Sequence, residues 1–391
     1  MTAADAHHLA VLEAVRSIAP QLRENARSAE RAGWLPDESV ELLEKAGVFG
    51  IAVPERFGGT DLPAAQQLAV LEEVAKACGS TGWVTAVWVT TAWMASLYPD
   101  KAQEEVFAGG RVRVSGGFTP SGTLVPTEGG YLLTGEWRFN SGVRAADWNV
   151  CSALVEHGDG RVEDLYPLVP TSDLVIGDDW DVFGAAGTGS VTSTADGVFV
   201  PAHRVVGADA YEAATRDRWN ADLKGRNYHL LSYVLTQCTA VYVGLARAAL
   251  DVFVAKLPGK GIAYSNWTEQ IKHPHIHHQV AVAANKIAAA AGLQRSLVEL
   301  VQERADQGRR LTVEEKATIR GQIAYIVQTA KEAVDVLYTL SPASVIVRSG
   351  DLQRIERDIL ALSVHGLFAP LASLEVQGRL LLGLEPDNDY L

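Results

Sequence analysis

Between about residues 111 and 205 the apolar residues of this chain recur at every second position, while on both sides they recur every three to four. Val112 and Val114, Tyr131 to Leu133, Trp137 to Phe139, Val150 to Val155, Tyr166 to Val169 and Val198 to Val200 are short β-branched or aromatic runs cut by Gly, Pro and Asp. A period of two bounded by turn residues predicts an antiparallel sheet or small barrel. Helical periods on both flanks exclude an alternating βαβ pattern, so the expected class is α+β, mostly α. The expected divisions are a helical 1–110, a β block at 111–205 and a helical bundle at 206–391.

In the first division Leu9, Leu12, Val15, Ile18 and Leu22 set an amphipathic helix from Ala4 to Ala29. Pro36-Asp37 opens a second helix that Gly47 stops, and a third runs from Pro63 to Ala77. Thr81 to Leu97 carries Trp83, Trp88, Trp93 and Met94 and is apolar on nearly all sides, which fits a buried helix or one wall of a pocket. After the β block, residues 206–228 mix charges with Tyr211, Trp219 and Tyr228, a connector long enough to read as a lid or binding loop. Four helical periods follow, at about 228–256, 275–307, 311–340 and 351–380, as in a four-helix bundle.

Hydrophobic residues make up 48% of 391, enough for a large core, and a net charge of −13 argues against nucleic acid or an anionic membrane as partner. No apolar run reaches the ~20 residues of a membrane span. MTAADAHHLAVLEAV lacks the segments of a secretory signal, and Cys78, Cys151 and Cys238 form no CxxC pair, so a reduced cytoplasmic protein is expected. Neither GxGxxG nor GxxxxGK[ST] is present. Gly187-Thr188-Gly189-Ser190 lies between strands without a third glycine, so no nicotinamide-nucleotide site is expected. His273-Pro274-His275-Ile276-His277-His278 keeps no ligand spacing with a cysteine or carboxylate and reads as solvent or subunit contact, not as a metal site.

In the middle of the β block, GGYLLTGEWRFNSGV (129–143) reads as two strand runs about a turn at Gly135, the second opening into Asn140-Ser141-Gly142. An aromatic, a hydroxyl two residues on and then a glycine suit a planar heteroaromatic ligand. The ring packs on Phe139 and the Ser141 hydroxyl bonds an edge nitrogen. An ordinary hairpin with an exposed serine accounts for the same residues.

With VPERFGG (53–59), GGFTPSGT (116–123), LTGEWRFNSG (133–142) and GVFVPAHRV (197–205), the chain resembles the acyl-CoA dehydrogenase superfamily from end to end. CGSTGWV (78–84), LYPDKAQEEVF (97–107), RDILALSVHG (357–366) and GRLLLGLEPDNDYL (378–391) resemble its flavin-dependent monooxygenase branch, the oxygenase components of two-component hydroxylases. The resemblance implies an N-terminal helical domain, a central β-barrel domain and a C-terminal four-helix bundle, assembled as a homotetramer or homodimer. It further implies reduced FAD or FMN from a separate NAD(P)H-dependent reductase, O2 as co-substrate, a C4a-hydroperoxyflavin and an aromatic small-molecule substrate.

Carried over residue by residue, the resemblance makes Ser141 the partner of flavin N5, with Phe139 on the ring and Asn140 beside it. Phe118, Ser121, Gly122 and Thr123 hold the flavin edge and pyrophosphate, though Ser121 and Thr123 equally fit turn chemistry. Thr188 and Ser190 face the cofactor. Arg357 either reaches a flavin phosphate or, with Arg354 and Asp358, makes a surface or interface ion-pair set. His365, placed within the last long helix, stands over the reacting ring to take a proton from a phenol or indole nitrogen or to help protonate the peroxide; otherwise it is a buried histidine on a backbone carbonyl. Trp83, Trp88 and Thr91 line the substrate pocket, unless the tryptophans are core.

Two departures matter. The dehydrogenases abstract an α-proton with a glutamate; matching through Leu352-Gln353-Arg354 puts Val347 there, with Asp351 the only carboxylate within four residues. A second pocket histidine of several relatives is replaced by Thr91, which turns the expectation from a phenolate towards an indole or polycycle. The alternatives are an amine or amino-sugar N-oxygenase with carboxylates in its pocket, an acyl-CoA dehydrogenase or oxidase, and a scaffold that keeps the fold for assembly.

Overall fold

The change of period near residue 111 is where helix gives way to sheet. The computed structural model describes residues 3–207, 218–388 and 391; the part of the expected lid at 208–217, Tyr211 included, lies outside them. Five helices come first: α1 (Ala3–Ala32), α2 (Asp37–Lys45), α3 (Ala64–Ala77), α4 (Gly79–Ala95) and α5 (Asp100–Val106). Pro36, Pro63 and Pro99 each stand directly before a helix, where the fixed φ suits entry and a missing N–H costs nothing. α5, at seven residues, is too short to show a period and adds to the sequence reading.

The β block holds β1 (Val114–Gly116), β2 (Gly122–Thr127), β3 (Gly130–Trp137), β4 (Trp148–Val150), β5 (Ala153–Glu156), β6 (Val162–Pro170), β7 (Val175–Ile176), β8 (Ser193–Pro201) and β9 (Val205–Gly207). Their spatial order is β1-β4-β6-β5-β2-β3-β8-β7, with β9 on β6. The sheet is mixed: β1 pairs β4 and β2 pairs β5 in parallel, which corrects the antiparallel expectation. Periodicity reports which face is buried and is blind to strand direction.

Gly135 is not a turn. β3 runs unbroken from Gly130 to Trp137, and only its register against β8 shifts, between Leu133 and Gly135. Gly135 stands opposite Gly122 with the Trp137 indole over both. A Cβ on Gly122 would meet that ring at 2.6 Å, and one on Gly135 would meet Gly122 Cα at 2.5 Å. The pair allows close packing, not chain reversal.

The last division holds α6 (Leu230–Lys256), α7 (Pro274–Gln307), α8 (Val313–Thr339), α9 (Asp351–Ser363) and α10 (Pro370–Leu381). A capping box of Thr312 and Glu315 starts α8. The single helix expected over 351–380 is two, bent by 84°. Pro370 lacks an N–H and holds Ala369 at ψ 127°, out of the helical region. His365 therefore lies in the break, not within a helix. α6 is long and apolar enough to cross a bilayer by composition, and its buried face packs on α3, α4 and α8. In the histidine-rich tract, His273 caps α7 by accepting from the His275 N–H, and His277 is hydrogen-bonded to the Ile271 carbonyl.

Two apolar clusters result, a large one among the helices and a small one inside the sheet around Leu124, Leu133, Trp137, Leu165 and Val200. All of α4 except Val87 is buried, and its neighbours are α3, α6 and β1. The loop after β3 crosses this seam.

Candidate active site

Four segments meet at the seam: the start of α4, the loop 138–142 after β3, the turn 184–190 before β8, and the break after α9. α4 has tryptophans on two faces, and both hold the loop. Trp83 Nε1 donates to Ser141 Oγ at 3.0 Å, and Trp88 Nε1 donates to the Gly142 carbonyl at 3.1 Å. Gly142 has a φ of +78°, and a Cβ there would sit 2.7 Å from Trp88 Nε1, so the loop approaches the helix as only glycine permits. Ser115 Oγ donates to the Ser141 carbonyl at 3.0 Å and completes the clamp.

The side chain of Ser141 joins a row of buried hydroxyls. Its Oγ lies 2.7 Å from Ser190 Oγ, which lies 2.8 Å from Thr188 Oγ1. The turn bearing Thr188 and Ser190 is fixed from α9. The Asp358 carboxylate accepts from the Ala185 N–H at 2.7 Å and holds Ala185 at a left-handed φ of +54°. Burial pushes the Asp358 carboxyl up to about 6, against the pull of that N–H and of Arg354 and Arg357. Asp358 and Arg354 are both buried, so the expected surface ion-pair set is an internal brace. Arg357 is engaged within the chain by Glu30, by the Phe183 carbonyl at 2.6 Å and by Gln353.

Phe139, by contrast, is held out. It is 73% exposed at a φ of +57°, a conformation that costs a non-glycine residue on the order of 1 kcal/mol or more. Its ring meets that of Trp180 edge-on at 5.8 Å, and Trp180 Nε1 donates to the Ala186 carbonyl at 3.1 Å. Asn140 turns inward and donates to Asn149 Oδ1 at 2.9 Å and Ser193 Oγ at 2.7 Å, leaving its own Oδ1 buried and unpaired.

On the other side of Ser141 the Trp83 ring lies 5.4 Å from His365 and 6.0 Å from Phe368. His365 Nδ1 accepts from the Leu367 N–H at 3.3 Å, so the neutral ring carries its proton on Nε2. His365 is exposed, yet desolvation by the protein packed around its ring pushes the pKa down to about 4. It is neutral at physiological pH, and its free nitrogen is a donor.

Of the residues singled out in the sequence, the structure brings together Ser141, Thr188, Ser190, Trp83 and His365, with Phe139 at the rim. Trp88 is fully buried against Phe49, whose ring is 5.4 Å away, and Trp34. Thr91 is buried two turns along α4 from Trp83. Phe118 packs on the helical core, Ser121 Oγ donates to the Thr119 carbonyl at 3.2 Å, Gly122 abuts Trp137, and Thr123 Oγ1 donates to the Thr134 carbonyl at 3.5 Å. Val347 is exposed before α9, with that 13-residue helix between it and His365 in the chain. Trp180 and the bracing role of Asp358 escaped the sequence reading. The only sign of Trp180 was an aromatic set among aspartates.

The comparisons with known proteins bear on this geometry. The family described as acyl-CoA dehydrogenase, N-terminal domain, matches residues 5–108, and that described as acyl-CoA dehydrogenase, C-terminal domain, matches 236–370. The FADH2-dependent resorcinol hydroxylase oxygenase component of Rhizobium sp. (strain MTP-10005) is 30% identical over 98% of this chain and 96% of its own. The chain belongs to the acyl-CoA dehydrogenase family.

Within the acyl-CoA dehydrogenase family it falls in the flavin-dependent monooxygenase branch. XiaF from Streptomyces sp., solved with FADH2 and glycerol, superposes with a TM-score of 0.94 at 27% identity, covering 99% of this chain and 98% of that one. The HsaA monooxygenase from M. tuberculosis gives 0.91 at 29% identity, covering 98% and 100%. Reduced flavin is the cofactor of this group, and the residues fit it. An exposed aromatic kept in a costly conformation is explained by a flat ring laid on it, and the hydroxyl row suits the nitrogen edge of such a ring.

Proposed function

We propose that this protein is the oxygenase component of a two-component monooxygenase and that it hydroxylates an aromatic or heteroaromatic small molecule. The reading is carried by one observation: Ser141 stands between an exposed stacking surface at Phe139 and an aromatic cluster of Trp83, His365 and Phe368. Reduced FAD or FMN, when bound, supplies the electrons and the activation of O2 that put one oxygen atom on the substrate. Phe139 and Trp180 hold its ring, Ser141 orients its edge, and Trp83 and Phe368 keep water from the reacting face and pack on a flat substrate. His365 acts as a hydrogen-bond donor through Nε2–H, since its lone pair is already on the Leu367 N–H and its basicity is low. Of the two roles expected of it, donating the proton is favoured over taking one.

Among the described residues no carboxylate raises the His365 pKa, which desolvation alone shifts. A separate NAD(P)H-dependent reductase supplies the reduced flavin, with both proteins in the cytoplasm. A homotetramer or homodimer is supported by Leu371, Leu381 and Leu382, which are 88%, 80% and 79% exposed on or beside α10. Sedimentation of the purified chain tests this part. The activity is tested by supplying FADH2 or FMNH2 and 18O2 with a panel of phenols and indoles. One labelled atom in a product supports the reading; labelled water and peroxide alone across the panel contradict it.

A further inference from the structure

The row of hydroxyls behind Ser141 has a property that no single hydroxyl has. Ser141 Oγ receives the Trp83 N–H in every state, because an indole nitrogen only donates. One lone pair and one O–H remain. Ser141 to Ser190, at 2.7 Å, and Ser190 to Thr188, at 2.8 Å, are hydroxyl pairs in which either oxygen is able to donate. All three side chains are buried, so each O–H needs an acceptor among its neighbours or in a bound ligand.

Two orderings pass donation one way along the row, each leaving one terminal O–H, that of Thr188 in the first and of Ser141 in the second, to find its acceptor outside the row. In the first, Ser141 donates to Ser190 and Ser190 to Thr188, which leaves a Ser141 lone pair free for an incoming N–H. In the second, Thr188 donates to Ser190 and Ser190 to Ser141. Both Ser141 lone pairs are then filled, and its O–H points outward to an acceptor. Reduced flavin presents an N–H at N5 and oxidised flavin presents a bare nitrogen there.

We propose that the Thr188–Ser190–Ser141 row reverses its donor direction with the oxidation state of the flavin, and that Ser190 is the positioning residue that sets the preference for the reduced form. This rests on the flavin site proposed above. No bond to carbon or oxygen is made or broken; three hydroxyl protons rotate together.

Removing Ser190 Oγ is then unequal in its effect. With reduced flavin, the Ser141 O–H loses its acceptor and is left buried and unpaired. With oxidised flavin, Ser141 keeps its donation and loses only an accepted bond. Ser190→Ala should raise the Kd ratio of reduced to oxidised flavin about tenfold, which lowers the midpoint potential of the bound flavin by ~30 mV. Thr188→Val should move the ratio the same way by less, and Thr188→Ser should leave it unchanged. Trp83→Phe removes a donor used in both orderings, so it should weaken both forms alike.

The experiment is anaerobic titration of the intact protein with oxidised FAD and with dithionite-reduced FAD, with the potential of the bound flavin measured in parallel. The expected result is a raised ratio in Ser190→Ala and Thr188→Val against an unchanged ratio in Trp83→Phe. If all three change both affinities by one factor, the row is only a scaffold and the inference falls while flavin binding stands. If the natural chain binds neither form, the proposed function falls as well.

Discussion

The indole N–H of Trp83 is bonded to the Ser141 hydroxyl at 3.0 Å, and the ring that carries it faces His365 at 5.4 Å. One buried side chain thus fixes the loop proposed to meet the cofactor and belongs to the aromatic cluster proposed to meet the substrate. Trp83→Phe separates these duties, since the ring stays and the N–H goes. The loss of one neutral hydrogen bond, ~1 kcal/mol net, should weaken reduced flavin roughly fivefold, read by anaerobic titration.

His365 gives a pH prediction of definite sign. Its pKa is about 4 in the fold against the ordinary 6.5, so the unfolded chain takes up the proton first as pH falls. Stability is therefore lost between about pH 6.5 and 4 and levels off below. His365→Asn keeps an acceptor for the Leu367 N–H and an N–H donor; it should flatten that part of the stability profile relative to the natural chain. Product yield per reduced flavin should show no histidine inflection near pH 6.5. His365→Ala should divert turnover from product to hydrogen peroxide by about tenfold or more, within the usual contribution of a positioned proton donor. An unchanged product-to-peroxide ratio would remove His365 from the chemistry.

Asp358 titrates in the opposite sense. A folded pKa of about 6 against 3.8 means that its favourable contribution is full below about pH 4 and is lost as pH rises through 6. Asp358→Asn should therefore gain on the natural chain in melting temperature between pH 4 and 7. Asp358→Ala leaves the Ala185 N–H without its acceptor and should cost ~1–3 kcal/mol at either pH.

Gly142→Ala places a methyl against Trp88 Nε1 at a left-handed φ. A loss of about 1–3 kcal/mol in chemical denaturation is expected, accompanied by weaker flavin binding because the strained loop carries Ser141.

Much of this was legible in the residues. The shift of apolar period placed the sheet, and Phe139 followed by Ser141 and Gly142 named the loop that the helix clamps. What stayed hidden was non-local or energetic. One helix ends at Ser363 and the next starts at Pro370 while the apolar period continues across the gap, so His365 was placed within a helix when it lies in a break. Gly135 read as a turn because a sequence does not show that another glycine, Gly122, lies across the ladder. Trp83 and Trp88 are equivalent in composition, and only the fold shows that one bonds the Ser141 hydroxyl and the other the Gly142 carbonyl. Asp358 read as a surface charge because its partner, the Ala185 N–H, is 173 residues away.

Anaerobic quenching of tryptophan fluorescence by FADH2 tests most directly whether reduced flavin binds at residues 139–141. Phe139 is exposed, so Phe139→Ala should leave the melting temperature nearly unchanged and weaken binding about tenfold, the scale of a lost stacked aromatic contact. Phe139→Ala combined with Ser141→Ala should weaken it further. Binding as tight in the double variant as in the natural chain would show that the flavin lies elsewhere.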